Sequence, residues 1–185
     1  GELSDRFPSI TPNGGAEPAP EFAPTTLVEE RDSNQSHLRM SFRPSIDPSD
    51  ADHRAALSVY ATAHAYADVP ILQLSAGLES RKCVEAYECM RGIVDDLREN
   101  GPTEEEVERA RAYAGGRTVL AFENTNAVAR FAATQTIVHR DEIDPDTAIE
   151  SVDRVTYDQV REVAAGISTE FSTACVGPHT EADFS

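Results

Sequence analysis

The chain has 185 residues, of which 16 are Lys or Arg and 33 are Asp or Glu, so its formal net charge is −17. That acid excess argues against a nucleic-acid binder, because phosphate contacts need clustered basic side chains, and against docking on anionic lipid. No apolar run reaches the roughly 20 residues that span a bilayer, and no signal-peptide pattern opens the chain. We therefore expect a cytoplasmic protein with no nucleic-acid or membrane partner.

The basic residues are unusually uneven. Fifteen of the 16 are Arg, and only Lys82 is Lys. An acidic chain with almost no lysine suits high salt, where self-repulsion is screened, so a halophilic source is one interpretation. A GC-rich genome that favours Arg codons explains the same composition, and the sequence does not choose between them.

Residues 1–24 are rich in Pro and Gly and lack hydrophobic periodicity. This composition predicts a linker or lead with some polyproline character. The length of the remainder fits one domain over 25–185.

The first half of that domain predicts strands. Residues 37–43 alternate, with Leu38, Met40 and Phe42 on one face and polar residues on the other, which is the period of a half-buried strand. The Pro-rich segment 44–52 predicts a loop with helix-start signals. Further strands are predicted at 26–31, 57–64 and 70–75.

Helices dominate the second half. Hydrophobic residues at three- and four-residue steps predict a helix over 79–99, and Gly101-Pro102 ends it. Thr103 and Glu106 form a capping box that opens a second helix. Other predicted elements are a helix over 124–138, a short helix near 146–152, a helix opened by the capping box of Thr156 and Gln159, and a closing strand at 171–177.

The order of these elements indicates the fold class. Strands come first, helices second and one strand last. This order predicts an α+β fold, with helices packed on one face of a mostly antiparallel sheet.

The sequence contains no complete catalytic motif. His139-Arg140-Asp141-Glu142 has the first four positions of H-x-x-E-H, but Ile143 stands where the second His belongs, so a helix end with solvated charges is favoured. The acidic run 104–108 is interpreted as an exposed helix start. His64 is predicted to be a half-buried sheet residue.

The cysteines predict no metal site. Cys83 and Cys89 are six residues apart on one predicted helix, so their side chains point about 120° apart and cannot readily share a metal. Cys175 lies in an apolar strand. All three are predicted to be buried, reduced thiols, and we predict no catalytic and no metal-binding residue in this chain.

Several short segments, in chain order, together resemble one known family. They are Glu30 to Phe42, Ser58 to Ala61, Ala65 to Asp68, Gly101 to Arg111, Phe122 to Thr125, Val155 to Val160 and Cys175 to Pro178. In this order they resemble the second domain of the insulinase/pitrilysin superfamily of inverse zincins, which includes the mitochondrial processing peptidase. The resemblance covers about 25–178.

The resemblance implies a non-zinc domain. In the family, the zinc, its two His ligands, its carboxylate ligand and the catalytic Glu belong to the preceding domain or to a partner chain, and none of those motifs occurs here. No cofactor is therefore expected in this chain, and zinc is expected in a partner domain. The expected partners are a zinc-bearing homologous domain or subunit and a peptide substrate.

The family's second domain also implies an Arg and a Tyr that contact substrate. Laying Ser58-Val59 on the matching segment puts Leu57 at the Tyr position and Asp50 at the Arg position, so both groups are absent. Roughly 25–35 family residues have no counterpart between Ala56 and Leu57. Either this protein lost them, or the sequence omits a segment that the protein contains there.

Two functions follow as expectations. The first is the non-zinc half of an insulinase-type metallopeptidase, which would form part of a peptide-binding chamber. The second is a catalytically degenerate structural or scaffold subunit of the same fold, favoured by Leu57.

Overall fold

A computed structural model describes residues 21–46, 50–60, 63–65, 70–139 and 144–185. Their centre is a single five-stranded sheet, with strand order β1-β5-β2-β4-β3. β1 runs parallel to β5, whereas the other neighbouring strands are antiparallel. The strands are β1 (Thr26–Glu30), β2 (Gln35–Pro44), β3 (Ala63–Ala65), β4 (Pro70–Glu79) and β5 (Ile167–Gly177).

Within the described ranges, six α-helices accompany the sheet. Together with the mostly antiparallel strands they confirm the predicted α+β class. The helices are α1 (Ala51–Tyr60), α2 (Cys83–Asn100), α3 (Glu104–Ala121), α4 (Thr125–Thr134), α5 (Pro145–Asp153) and α6 (Tyr157–Ala165). Shorter turns are the 3₁₀ turns Ser80–Lys82 and Glu181–Phe184 and the π-helical turn Gln135–His139.

The core of the sheet lies on one face only. Along β2 every second residue from Ser36 to Pro44 is buried, and the residues between them are exposed or half-buried. This is the predicted two-residue period, because alternate side chains of a strand point to opposite faces. Tyr87 and Val94 of α2 and Phe184 of the last turn belong to the same cluster, so α2 and the chain end cover that face.

A second core is purely helical. It is built where α1, α3, α5 and α6 meet. Its buried members are Ala55, Ala56, Leu57, Val107, Ala114, Val152, Val155, Val160 and Val163. Val107 and Ala114 of α3 lie two turns apart and Val160 and Val163 of α6 lie one turn apart, as on the buried stripe of an amphipathic helix. Val155 lies between α5 and α6.

The strand predicted at 57–64 is wrong over most of its length. Residues 51–60 form α1, and of the residues described in the rest of this segment Ala63–Ala65 pair with β4. Asp50 Oδ1 accepts hydrogen bonds from the N–H groups of Asp52 and His53, at 2.8 and 3.2 Å, which is an N-cap. Because α1 precedes β3 and β4, the predicted order of strands before helices is wrong at this helix. The family segment predicted to be missing between Ala56 and Leu57 stays a prediction, and so do the predicted domain limits.

The other helix boundaries follow their local signals. Gly101 ends α2 with φ +73°, a conformation that favours glycine. Thr103 and Thr156 both form complete capping boxes. The predicted helix at 124–138 divides into α4 and the π-helical turn, with Asn124 as N-cap. β4 is longer than predicted and reaches Glu79.

Candidate functional site

Two thiols and an imidazole meet beneath the end of the sheet. Cys83 is the first residue of α2, Cys175 lies in β5, and His179 follows β5. The Sγ atoms of the two cysteines are 3.9 Å apart, and each side chain has a ligand atom within 4.8 Å of the others. Both cysteines are buried and His179 is half-buried.

A chain of hydroxyl groups borders this thiol–imidazole cluster. Ser36 Oγ donates to Ser80 Oγ over 2.9 Å, and Ser80 Oγ donates to the carbonyl of Ser33 over 2.7 Å. The hydrogen of Ser36 is thus used, so Nε2 of His179, 3.0 Å from Ser36 Oγ, is the donor in that bond. Ser36 is wholly buried, which makes it a fixed oxygen beside the two sulfurs.

Burial keeps both thiols protonated at neutral pH. It raises the pKa of Cys83, against the lowering effect of hydrogen bonds with Cys175 and Ser36. It raises the pKa of Cys175 to about 12, and the neighbouring Cys83 adds to the effect. A thiolate without a compensating cation is costly in this place, so neither cysteine is an activated nucleophile.

The sequence did not predict this cluster. Cys83 and Cys175 are 92 residues apart, and only the register of β5 against β2 brings Cys175 opposite Leu38, two residues beyond Ser36. The expectation that all three cysteines are buried is wrong for Cys89, which is exposed. Cys89 lies on the outer side of α2, as the predicted angle from Cys83 requires.

The second feature is the sheet face opposite α2, which we call the open face. None of the described helices packs on it. Its exposed or half-buried positions, read across the strands in register, are Leu27, Ala174, Arg39 and Ser75 in one row and Glu29, Val176, His37 and Gly77 in the next. A shallow depression is centred on His37, Arg39, Ser75, Gly77 and Ala174. Small side chains beside basic ones leave room there for an extended chain.

The residues singled out in the sequence lie apart from both features. Leu57 is buried in the helical core, and Asp50 caps α1. His64 lies in β3 opposite Ile71. His139 ends the π-helical turn, and the rest of the partial motif, 140–143, is outside the described residues.

The catalytic zinc implied by the resemblance does not fit this chain. Its H-x-x-E-H ligand motif is absent from the sequence, and the thiol–imidazole cluster offers a different donor set. No helix in the described part of the chain is long and apolar enough to cross a membrane.

Comparison with solved structures defines the class of fold. The M16 peptidase inactive domain of Pseudomonas fluorescens aligns with a TM-score of 0.73 at 13% identity, over 96% of this chain and 48% of that one. A chain of complex III2 from Candida albicans aligns with a TM-score of 0.70 at 12% identity, over 86% and 46%. A protease from Helicobacter pylori gives 0.66 at 14%, over 95% and 50%. At these identities the likeness is one of fold.

Sequence comparison points to the same group of proteins. The family model for the peptidase M16 inactive domain matches residues 51–113. An uncharacterised zinc protease of Streptomyces coelicolor is 27% identical over 124 residues, which are 66% of this chain and 27% of that protein. The resemblance to the second, non-zinc domain of the insulinase-type superfamily is thereby confirmed. The chain spans about a quarter of that curated relative and half or less of the solved structures.

Proposed function

We propose that this chain is the non-catalytic half of an M16-type metallopeptidase and forms one wall of a peptide-binding chamber with a zinc-bearing domain or subunit. The observation that carries the proposal is the match of residues 51–113 to the M16 inactive domain in a chain without H-x-x-E-H. In the partner, zinc would activate water beside a general-base Glu. A cytoplasmic location is part of the proposal.

The open face supports a role as chamber wall. The chain covers the other face with its own α2 and last turn, whereas Arg39, Ser75 and Ala174 stay exposed in one row across three strands. The small side chains on this face leave room for an extended peptide to lie across the sheet. Because β5, β2 and β4 are interior strands whose main-chain groups pair with one another, the peptide would contact side chains here rather than add a strand. The open face is therefore the surface that we assign to the chamber.

The test begins with the native assembly that contains this chain. Purified through an affinity tag, it should contain an H-x-x-E-H domain or subunit, and it should cleave peptides in a chelator-sensitive way. A bulky charge on the open face, Ala174→Arg, should sharply reduce cleavage. Ala112→Arg, at an exposed position of α3, is the matched control and should retain it.

Circular dichroism of both variants establishes that the fold is kept. Equal cleavage by the two Arg variants would remove the open face from the proposal. A chain that purifies alone and never associates with a zinc-bearing domain would remove the peptidase role itself.

A structural or scaffold subunit is the second candidate. Leu57 is 3% exposed within the helical core, and Asp50 is occupied in capping α1, so neither offers the phenol or guanidinium that the resemblance implies at those positions. That Leu57 matches the family's Tyr position stays a prediction. An assembly that contains the chain but shows no chelator-sensitive cleavage of any peptide in a mixed library would favour this candidate.

A further inference from the structure

We propose that Cys83, Cys175 and His179 form a Zn²⁺ site that joins the start of α2, the end of β5 and the C-terminal turn. This goes beyond the proposed function, because it concerns a zinc held by the non-zinc domain itself. It also departs from the sequence prediction that no residue of this chain binds metal.

The spacing of the sulfur atoms fits zinc. Zn–S bonds are about 2.3 Å long, so two thiolates on a tetrahedral ion lie about 3.8 Å apart. The observed distance from Sγ of Cys83 to Sγ of Cys175 is 3.9 Å. A disulfide would need the same atoms at about 2.05 Å, a much larger movement. The imidazole ligand atom is within 4.8 Å of both sulfurs, so a small shift of the half-buried ring completes three ligands.

The charge balance also fits zinc. Two thiolates neutralise one Zn²⁺, so the buried complex carries no net charge and avoids the cost of an isolated buried ion. On binding, each thiol loses its proton to solvent, and each sulfur and the unprotonated ring nitrogen of His179 donate a lone pair to the ion, without any redox change. Soft thiolates with an imidazole select zinc over magnesium or calcium, which prefer oxygen.

The surroundings hold the ligands in place. Ser36 Oγ lies 3.0 Å from Nε2 of His179, so this hydrogen bond orients the imidazole ring beside the two sulfurs. A water would complete the fourth ligand position. The ring of Phe184 packs edge-on against His179 at 5.7 Å between centroids. Tyr87 donates its hydroxyl hydrogen to the carbonyl of Phe184 over 2.9 Å, which anchors the turn beside the site.

An ion can reach these ligands from one side. Cys83 and Cys175 are 0% and 2% exposed, whereas His179 is half-buried and Pro178 and Thr180 beside it are exposed. His179 thus forms the outer wall of the site.

The test uses the full chain, stripped with chelator and then titrated with Zn²⁺ alone. We expect one tightly bound zinc per chain and a rise in the melting temperature. Co²⁺ as a probe should give a thiolate-to-cobalt charge-transfer band. Cys83→Ser and Cys175→Ser should each abolish tight zinc binding and the band, while Cys89→Ser, the matched control at an exposed thiol, should keep both.

His179→Asn provides a variant that spares the core. This substitution should weaken zinc binding at least tenfold. The metal-free variant should keep the circular dichroism spectrum and melting temperature of the metal-free wild type. The proposal is overturned if wild type binds no stoichiometric zinc, if Cys89→Ser loses zinc as Cys83→Ser does, or if His179→Asn binds as wild type does. A disulfide between Cys83 and Cys175 in the chain purified without reductant would also overturn it.

Discussion

At the scale of single residues, the end of β5 requires a glycine. A Cβ on Gly177 would lie 2.2 Å from Ser36 Oγ and 2.9 Å from Ser36 Cβ. Ser36 cannot withdraw easily, because it is wholly buried and bonded to Ser80 and His179. The close approach of β5 to β2 at this point therefore depends on the absence of a side chain.

We predict that Gly177→Ala destabilises the protein by about 1–3 kcal/mol, the usual cost of overpacking a filled core. Gly92→Ala is the control, because a Cβ there meets nothing within 4 Å on an exposed side of α2. Helix propensity should make that change stabilising by about 0.5–1 kcal/mol. Urea unfolding measures both, and similar destabilisation by the two alanines would contradict the packing argument.

A substitution at Leu57 tests whether residues 51–60 form a helix that buries this side chain. Leu57→Ala should cost about 2–5 kcal/mol, because it deletes a buried side chain among α3, α5 and α6. Leu120→Ala, at a position 66% exposed, should change stability by no more than about 0.5 kcal/mol. If denaturant unfolding shows Leu57→Ala to be as harmless as Leu120→Ala, Leu57 lies on a surface, as a substrate-facing residue would.

At the scale of elements, the sequence best predicts those helix ends that short-range interactions determine. The capping boxes of Thr103 and Thr156 and the glycine stop at Gly101 are short-range signals, and all three are confirmed. α1 was missed because Leu57, Val59 and Tyr60 at its end also fit a strand, although its alanines favour a helix, and only its packing against other helices decides. The cluster of Cys83 with Cys175 depends on strand register, which no local pattern encodes.

The two capping boxes differ in one respect, which gives a pH prediction. Hydrogen bonds from the N–H and hydroxyl of Thr103 lower the pKa of Glu106, whereas Gln159 does not titrate. A carboxyl whose folded-state pKa is lowered stabilises the fold above its unfolded pKa, and loses that contribution as the pH falls through the folded pKa.

Glu106→Ala should therefore destabilise the protein at neutral pH, and its effect should shrink as the pH falls to about 3. Gln159→Ala is the matched control in the second box, and its effect should stay the same over that range. Urea midpoints of the two variants and wild type, measured in parallel at each pH, give the comparison. A constant penalty for Glu106→Ala would show that its charge plays no part.

At the scale of the whole molecule, the charge is what most separates this chain from an ordinary domain. The surface holds ion pairs within helices, such as Arg91 with Asp95 and Arg109 with Glu105, at exposed positions. Exposed ion pairs contribute little to the free energy of unfolding. The chain has 33 acidic residues and only 16 basic ones. Repulsion among unpaired carboxylates should therefore outweigh the surface attractions.

We predict that the melting temperature rises as KCl increases from about 0.1 M to 1 M, because the Debye length falls from about 10 Å to about 3 Å and screens that repulsion. Differential scanning calorimetry measures the melting temperature at each KCl concentration. Sucrose at the same osmolality is the control, because it is excluded from the protein surface but does not screen charges. A large rise with KCl alone supports a chain adapted to high salt, whereas a melting temperature that falls with KCl would show that the ion pairs dominate. If the melting temperature rises equally with KCl and with sucrose, codon usage is the better explanation of the arginine-rich composition.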